Sequence, residues 1–158
     1  MKLIRNTVCA GLAAAVLVTG ALIAGPGGAV AADADKVIAY RKMVMGATGA
    51  HIGAIASVVK GETAYGAHVG DHARALAALA RMMPDTFPEG TADGDTRAKP
   101  EIWQDWAKFT AAAKALETAA MDLAAVADSG DAAAIGQGLG AVGGTCGGCH
   151  KPFRKPAQ

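Results

Sequence analysis

The chain is poor in cysteine, in net charge and in recognisable catalytic motifs. It holds only 3 cysteines in 158 residues, too few for a disulfide-stapled scaffold. Its 15 Lys and Arg nearly balance its 14 Asp and Glu, so no charge excess points to nucleic acid or to an acidic membrane surface. No nucleophile with its base, paired acid site or phosphate-binding loop is evident. We therefore expect neither an enzyme nor a nucleic-acid-binding protein.

The N-terminus carries the pattern of an export signal. Lys2 and Arg5 precede a mainly apolar run over residues 9–24, and the small-residue signal Ala29-Val30-Ala31 follows. We predict a signal peptide at 1–32 and one mature domain at 33–158, located in a bacterial periplasm and not bound to a membrane. An uncleaved membrane anchor is the alternative, because the apolar run is only just too short to span a bilayer.

The mature region divides into four segments with helical periodicity. Apolar residues recur at three- and four-residue spacings over 35–59, 64–83, 100–128 and 131–153, and the one long connection is the Gly/Pro/Asp-rich stretch 84–99. This pattern predicts an all-α fold, an antiparallel up-down-up-down four-helix bundle. Each of the seven glycines between Gly136 and Gly148 costs a helix about 1 kcal/mol relative to alanine. So many glycines in one helix indicate that a large flat group, or another helix, packs closely against it.

The sequence Cys146-Gly147-Gly148-Cys149-His150 is typical of a c-type haem attachment site. Two thiols at this spacing can each add to a haem vinyl group, and the histidine can offer its imidazole to the iron. On a helix all three side chains project from one face. A zinc site needs four ligands, and no second pair stands at zinc-finger spacing. A redox disulfide belongs near a βαβ pattern, which is lacking, but it stays the alternative.

Topology indicates what faces His150. In an up-down-up-down bundle the first and fourth helices are adjacent and antiparallel, which puts His150 level with residues 41–45. Met45 lies on the apolar stripe of the first helix. A thioether can ligate haem iron opposite a histidine, but methionine also packs well in cores. Both roles stay open for Met45.

Several motifs together resemble the class II c-type cytochromes, that is, the cytochrome c′ family and its low-spin methionine-ligated relatives. The resemblance spans nearly the whole mature region. It rests on Tyr40-Arg41, Met45, Gly49, the stretch 99–103, Cys146 to His150, and Phe153-Arg154.

The resemblance implies one haem c, covalently bound through Cys146 and Cys149, with His150 as proximal iron ligand. It further implies that Arg41 lies near a haem propionate and Arg154 beside the proximal histidine, although either can be an ordinary surface arginine. In low-spin members a methionine at the place of Met45 ligates the iron. In high-spin members this place holds a side chain that does not coordinate, and the open iron face binds NO or CO.

Our leading expectation is a one-electron carrier with His150 and Met45 as axial ligands, serving redox partner proteins. The alternative is a high-spin protein with an open distal site for NO or CO. A haem enzyme such as a peroxidase lacks a distal acid–base residue. Family members commonly pair through their first two helices, so the resemblance also raises the option of a homodimer, which the sequence does not decide.

Overall fold

The computed structural model describes residues 33–156, so the predicted signal peptide at 1–32 lies outside the described residues. The all-α prediction is confirmed: the described part consists of helices, loops and one isolated β-bridge. Its α-helices are α1 (Ala34–Val59), α2 (Val69–Met82), α3 (Glu101–Gln104), α4 (Trp106–Ala127) and α5 (Ala132–Phe153), and short 3-10 turns occupy Gly66–His68 and Pro84–Thr86.

Two carboxylates and a glycine mark the ends of these helices. The Asp33 carboxylate accepts from the Asp35 amide at 3.1 Å and caps α1. The Asp131 carboxylate accepts from the amides of Ala133 and Ala134 at 2.8 and 3.2 Å, as expected for the N-cap of α5. Gly61 adopts φ 73°, a left-handed conformation that favours glycine and ends the first helical segment.

Two predicted helices differ from the observed ones. The segment 100–128 is broken at Asp105, whose φ of −127° and ψ of 61° are not helical. Its carboxylate accepts from the Lys108 amide at 3.1 Å, so it ends α3 and caps α4. The second helix begins at Val69 instead of residue 64, because Gly66–His68 form a 3-10 turn.

The long helices form a ring in which α1 contacts α2, α2 contacts α4, α4 contacts α5, and α5 returns to α1. The α1–α5 contact is the sparsest of the four, so the bundle is open between these helices. His51 and His72 join α1 to α2, with their Nδ1 atoms 2.9 Å apart. By length and composition alone, α1 is also long and apolar enough to cross a membrane.

The α4–α5 crossing gives a prediction that separates two glycines of α5. A Cβ at Gly138 would lie 2.9 Å from Leu123 Cδ1, whereas a Cβ at Gly140 meets nothing within 4 Å. We expect Gly138→Ala to destabilise the protein by about 1–3 kcal/mol through overpacking. Gly140→Ala should stabilise it by up to about 1 kcal/mol through helix propensity. Urea unfolding of both variants checks this, and equal midpoints would contradict the packing of α5 on α4.

Candidate haem site

A cavity of about 410 Å³ lies between α1, α4 and α5. It brings together the residues that the sequence singled out, although they come from opposite ends of the chain. Its lining includes all six predicted site residues: Arg41, Met45, Cys146, Cys149, His150 and Arg154.

The α5 wall carries the attachment motif. Cys146 and Cys149 are half-buried free thiols, and burial raises the pKa of both. His150 is also half-buried, and its pKa is lowered mainly by burial and further by the positive charges of Arg154 and Arg97. A lowered pKa keeps the imidazole neutral, which is the form that ligates a metal.

The α1 wall faces this motif across the cavity. Met45 is half-buried and lines the cavity together with Thr48, Gly49 and Ile52. The Thr48 hydroxyl donates to the Val44 carbonyl at 2.9 Å, so this hydroxyl is engaged with the backbone of α1. These four residues present alkyl, thioether and backbone surface and no acid or base, whereas Arg41 and Lys42, one turn earlier on α1, line the edge of the cavity.

Arg41 is a buried cation at the cavity edge. Its side chain is 4% exposed, and its guanidinium donates to Thr91 Oγ1, Thr91 O and Thr96 Oγ1 at 3.2, 3.0 and 2.9 Å. It also lies 4.5 Å from the Phe87 ring centroid. Burial lowers its pKa. In the described part of the chain no ion pair involves Arg41, so a carboxylate entering the cavity would find an uncompensated positive charge.

Arg154 lies just beyond α5 and is exposed. It pairs with Ala98 in the isolated β-bridge, which ties the end of α5 to the 84–99 loop. The same bridge holds Ala98, and with it the neighbouring Arg97, beside the cavity, so that Arg97 forms part of the lining. Arg97 could not be predicted from the sequence, because the loop has no periodicity from which the direction of its side chains follows.

Aromatic rings close the inner side of the cavity. The rings of Phe109 and Phe153 meet edge to face with centroids 5.5 Å apart, and those of Phe87 and Phe109 do so at 4.7 Å. The cavity thus offers two thiols and an imidazole on one wall, an apolar interior, and a buried cation. This set of side chains fits a c-type haem. The thiols can form the thioether bonds and the imidazole can ligate the iron, while the apolar interior can contact the macrocycle and the cation can pair with a haem carboxylate.

The helical bundle and this donor set define a c-type haem protein of the class II architecture. The family model described as cytochrome C′ matches residues 36–154. The chain is similar to the cytochrome c′ of Rhodospirillum rubrum, with 44% identity over 125 residues that cover 78% of this chain and 85% of that protein. The chain belongs to the cytochrome c′ family, whose proteins bind one covalently attached haem c.

Solved structures agree on the fold. A nitric oxide complex of a variant cytochrome c prime from Alcaligenes xylosoxidans matches with a TM-score of 0.71 and 32% identity, covering 79% of this chain and 98% of that chain. A carbon monoxide-bound variant from the same organism gives the same TM-score, identity and coverage.

Arg41 gives a second prediction. Arg41→Gln removes three hydrogen bonds that tie α1 to the 84–99 loop, and bonds to charged groups are the strong ones, so we expect a loss of about 3 kcal/mol in unfolding free energy. The neighbouring Lys42 is exposed and pairs with Asp95, so Lys42→Gln should cost less than about 1 kcal/mol. Urea unfolding of the two haem-loaded variants measures the difference. Similar losses would show that Arg41 does not hold the loop.

Proposed function

We propose that this chain is a periplasmic haem c protein that binds NO or CO at an open iron face. In this proposal Cys146 and Cys149 form the thioether bonds, His150 is the proximal ligand, and Met45 lines the distal side without coordinating. The observation that carries the proposal is the α1 wall of the cavity. Around Met45 this wall consists of Thr48, Gly49 and Ile52, and the Thr48 hydroxyl is engaged with the backbone of α1. The two cations of the α1 lining, Arg41 and Lys42, lie one turn nearer the start of the helix and are engaged with the 84–99 loop.

Such a wall favours small neutral ligands. Bound haem supplies an iron atom that takes a diatomic gas as its sixth ligand. The surface around Met45 excludes water, and Thr48, Gly49 and Ile52 offer no proton donor to an anionic or peroxidic ligand. NO and CO need no such donor. For the same reason we propose a binding protein and not an enzyme. The similar structures with NO and CO support this choice.

The chain's own residues then have separate tasks. Two thioether bonds prevent haem loss, and the lowered pKa of His150 keeps its imidazole neutral and able to ligate iron. The Arg41 guanidinium, fixed by Thr91 and Thr96, stands where a propionate carboxylate would relieve its uncompensated charge.

Our leading expectation from sequence, a one-electron carrier with Met45 bonded to iron, is the second candidate. Its support is that Met45 and His150 line the same cavity from facing helices. The gas complexes among the similar proteins favour the open face instead.

Titration of the reduced haem-loaded protein with CO tests the proposal. We expect a saturable shift of the Soret band at micromolar to submillimolar CO, with one CO per haem. A His/Met pair would resist displacement, so an unchanged spectrum at saturating CO would favour the electron carrier. Absence of covalently held haem would overturn both candidates.

A further inference from the structure

Two short basic segments meet at the end of the bundle that carries His150. Residues 97–99 and 151–155 are joined by the bridge between Ala98 and Arg154. The Lys99 amide donates to the Phe153 carbonyl at 3.0 Å, and the Lys155 amide donates to the Arg97 carbonyl at 2.8 Å. These backbone bonds hold the segments at a fixed spacing. We call this surface the basic end.

The basic end carries five positive charges and no acidic residue: Arg97, Lys99, Lys151, Arg154 and Lys155. Within residues 33–156 none of the five takes part in an ion pair. Elsewhere in the described part, most cations have a carboxylate neighbour, for example Lys42 with Asp95 and Arg74 with Asp128. Four of the five side chains are exposed, and Lys99 is half-buried.

The rest of the domain is acidic. Residues 33–158 contain 13 Lys and Arg against 14 Asp and Glu, and five of those 13 cations lie in the basic end. Eight cations therefore face 14 acids over the remaining surface. A charge separation of this kind orients an approaching charged partner before contact and raises its association rate.

The basic end is continuous with the haem cavity. Arg97, Arg154 and His150 line the cavity, and both arginines also belong to the basic end. The segment 151–155 directly follows His150 in the chain. A partner seated here would therefore lie close to the proximal side of the haem.

We propose that the basic end is the docking surface for an acidic protein that donates single electrons. This inference rests on the proposed haem site. On docking, the partner would give up one electron to a ferric haem held by Cys146, Cys149 and His150, which would become ferrous with no bond formed or broken. The transfer would return the iron to the ferrous state in which CO binds.

A protein fits this surface better than an anionic membrane does. Stable membrane adhesion needs an inserted apolar group or a lipid chain in addition to basic charge. Phe153 is the one large apolar residue of these segments, and it is buried at 4% exposure. The contact face of the basic end is thus formed by cationic side chains beside the half-buried Pro152.

The first test measures binding without relying on electron transfer. The haem-loaded protein is titrated with a decaglutamate peptide at low ionic strength in a calorimeter. We expect Lys151→Gln/Lys155→Gln to weaken binding about fivefold, since both side chains are exposed and their backbone bonds remain. The control Lys60→Gln/Lys114→Gln removes the same charge away from the basic end and should leave binding within about twofold. Equal affinities of the two double variants would overturn the proposal.

The second test measures the rate of electron exchange. Oxidation of the ferrous protein by the anion ferricyanide should slow as salt rises, and Lys151→Gln/Lys155→Gln should slow it at least about threefold at low salt. Oxidation by the cation tris(phenanthroline)cobalt(III) should not slow in that variant. Identical behaviour of both oxidants would contradict the proposal.

Two further experimental results can be distinguished from a failure of the docking proposal itself. Sedimentation of the protein with vesicles of phosphatidylglycerol and phosphatidylcholine, abolished in the double variant, would replace the protein partner by a membrane. If the chain holds no haem or its CO titration fails, the proposed function falls, whereas peptide binding still reports on the basic end.

Discussion

Replacing Cys146 and Cys149 by alanine should give a chain that holds no covalent haem and forms no stable bundle. Without haem the apolar side chains that line the cavity between α1, α4 and α5 would face water, and the burial that holds α5 to the bundle would be lost. Native domains are stable by only about 5–15 kcal/mol, so a loss of this kind is large. The glycine-rich α5 contributes little helix propensity of its own to offset this loss.

Haem staining of a denaturing gel and far-UV circular dichroism measure the two parts of this prediction. Wild type should keep haem on the gel and unfold cooperatively, whereas the double variant should show no haem and much reduced helicity. Cys9→Ala is the control, because this cysteine lies in the predicted signal peptide and should be irrelevant to attachment. Haem that stays on the double variant through denaturation would place the attachment elsewhere.

Replacing Met45 by alanine should speed gas binding at the haem. In the proposed function Met45 fills the distal wall without an iron bond, so its removal relieves steric hindrance. The expected gain is about tenfold or more in the CO association rate, a size typical of one or two methylenes in an apolar pocket. Stopped-flow mixing of the reduced protein with CO measures it.

Met43→Ala is the matched control, because Met43 stands on the same helix but is 64% exposed. It should leave the CO rate unchanged. If instead the ferric spectrum of Met45→Ala changes from low-spin to high-spin, Met45 is an iron ligand and the electron carrier is the correct function.

Much of the site could be predicted because its parts are local or follow from topology. The Cys146–His150 motif needs only its own spacing, and the helix that carries it follows from the apolar periodicity of residues 131–153. The prediction that Met45 faces His150 also required the adjacency of the first and last helices, and the structure places both residues in the same cavity.

The remainder depends on geometry that spacing does not contain. The apolar spacing of Ile102, Trp106 and Phe109 continues across Asp105, so the break between α3 and α4 cannot be predicted from periodicity. The His51–His72 contact depends on the rotation of α1 against α2. Arg97 reaches the site through a loop without periodicity. The iron's sixth ligand cannot be predicted from sequence, because a thioether on a core stripe suits both coordination and packing.

Electron paramagnetic resonance of the ferric haem-loaded protein at neutral pH tests the central claim most directly. An iron held by His150 alone, with Met45 as a non-coordinating wall, predicts an axial high-spin ferric signal. A low-spin rhombic signal that disappears in Met45→Ala would contradict it and assign the sulfur of Met45 to the iron.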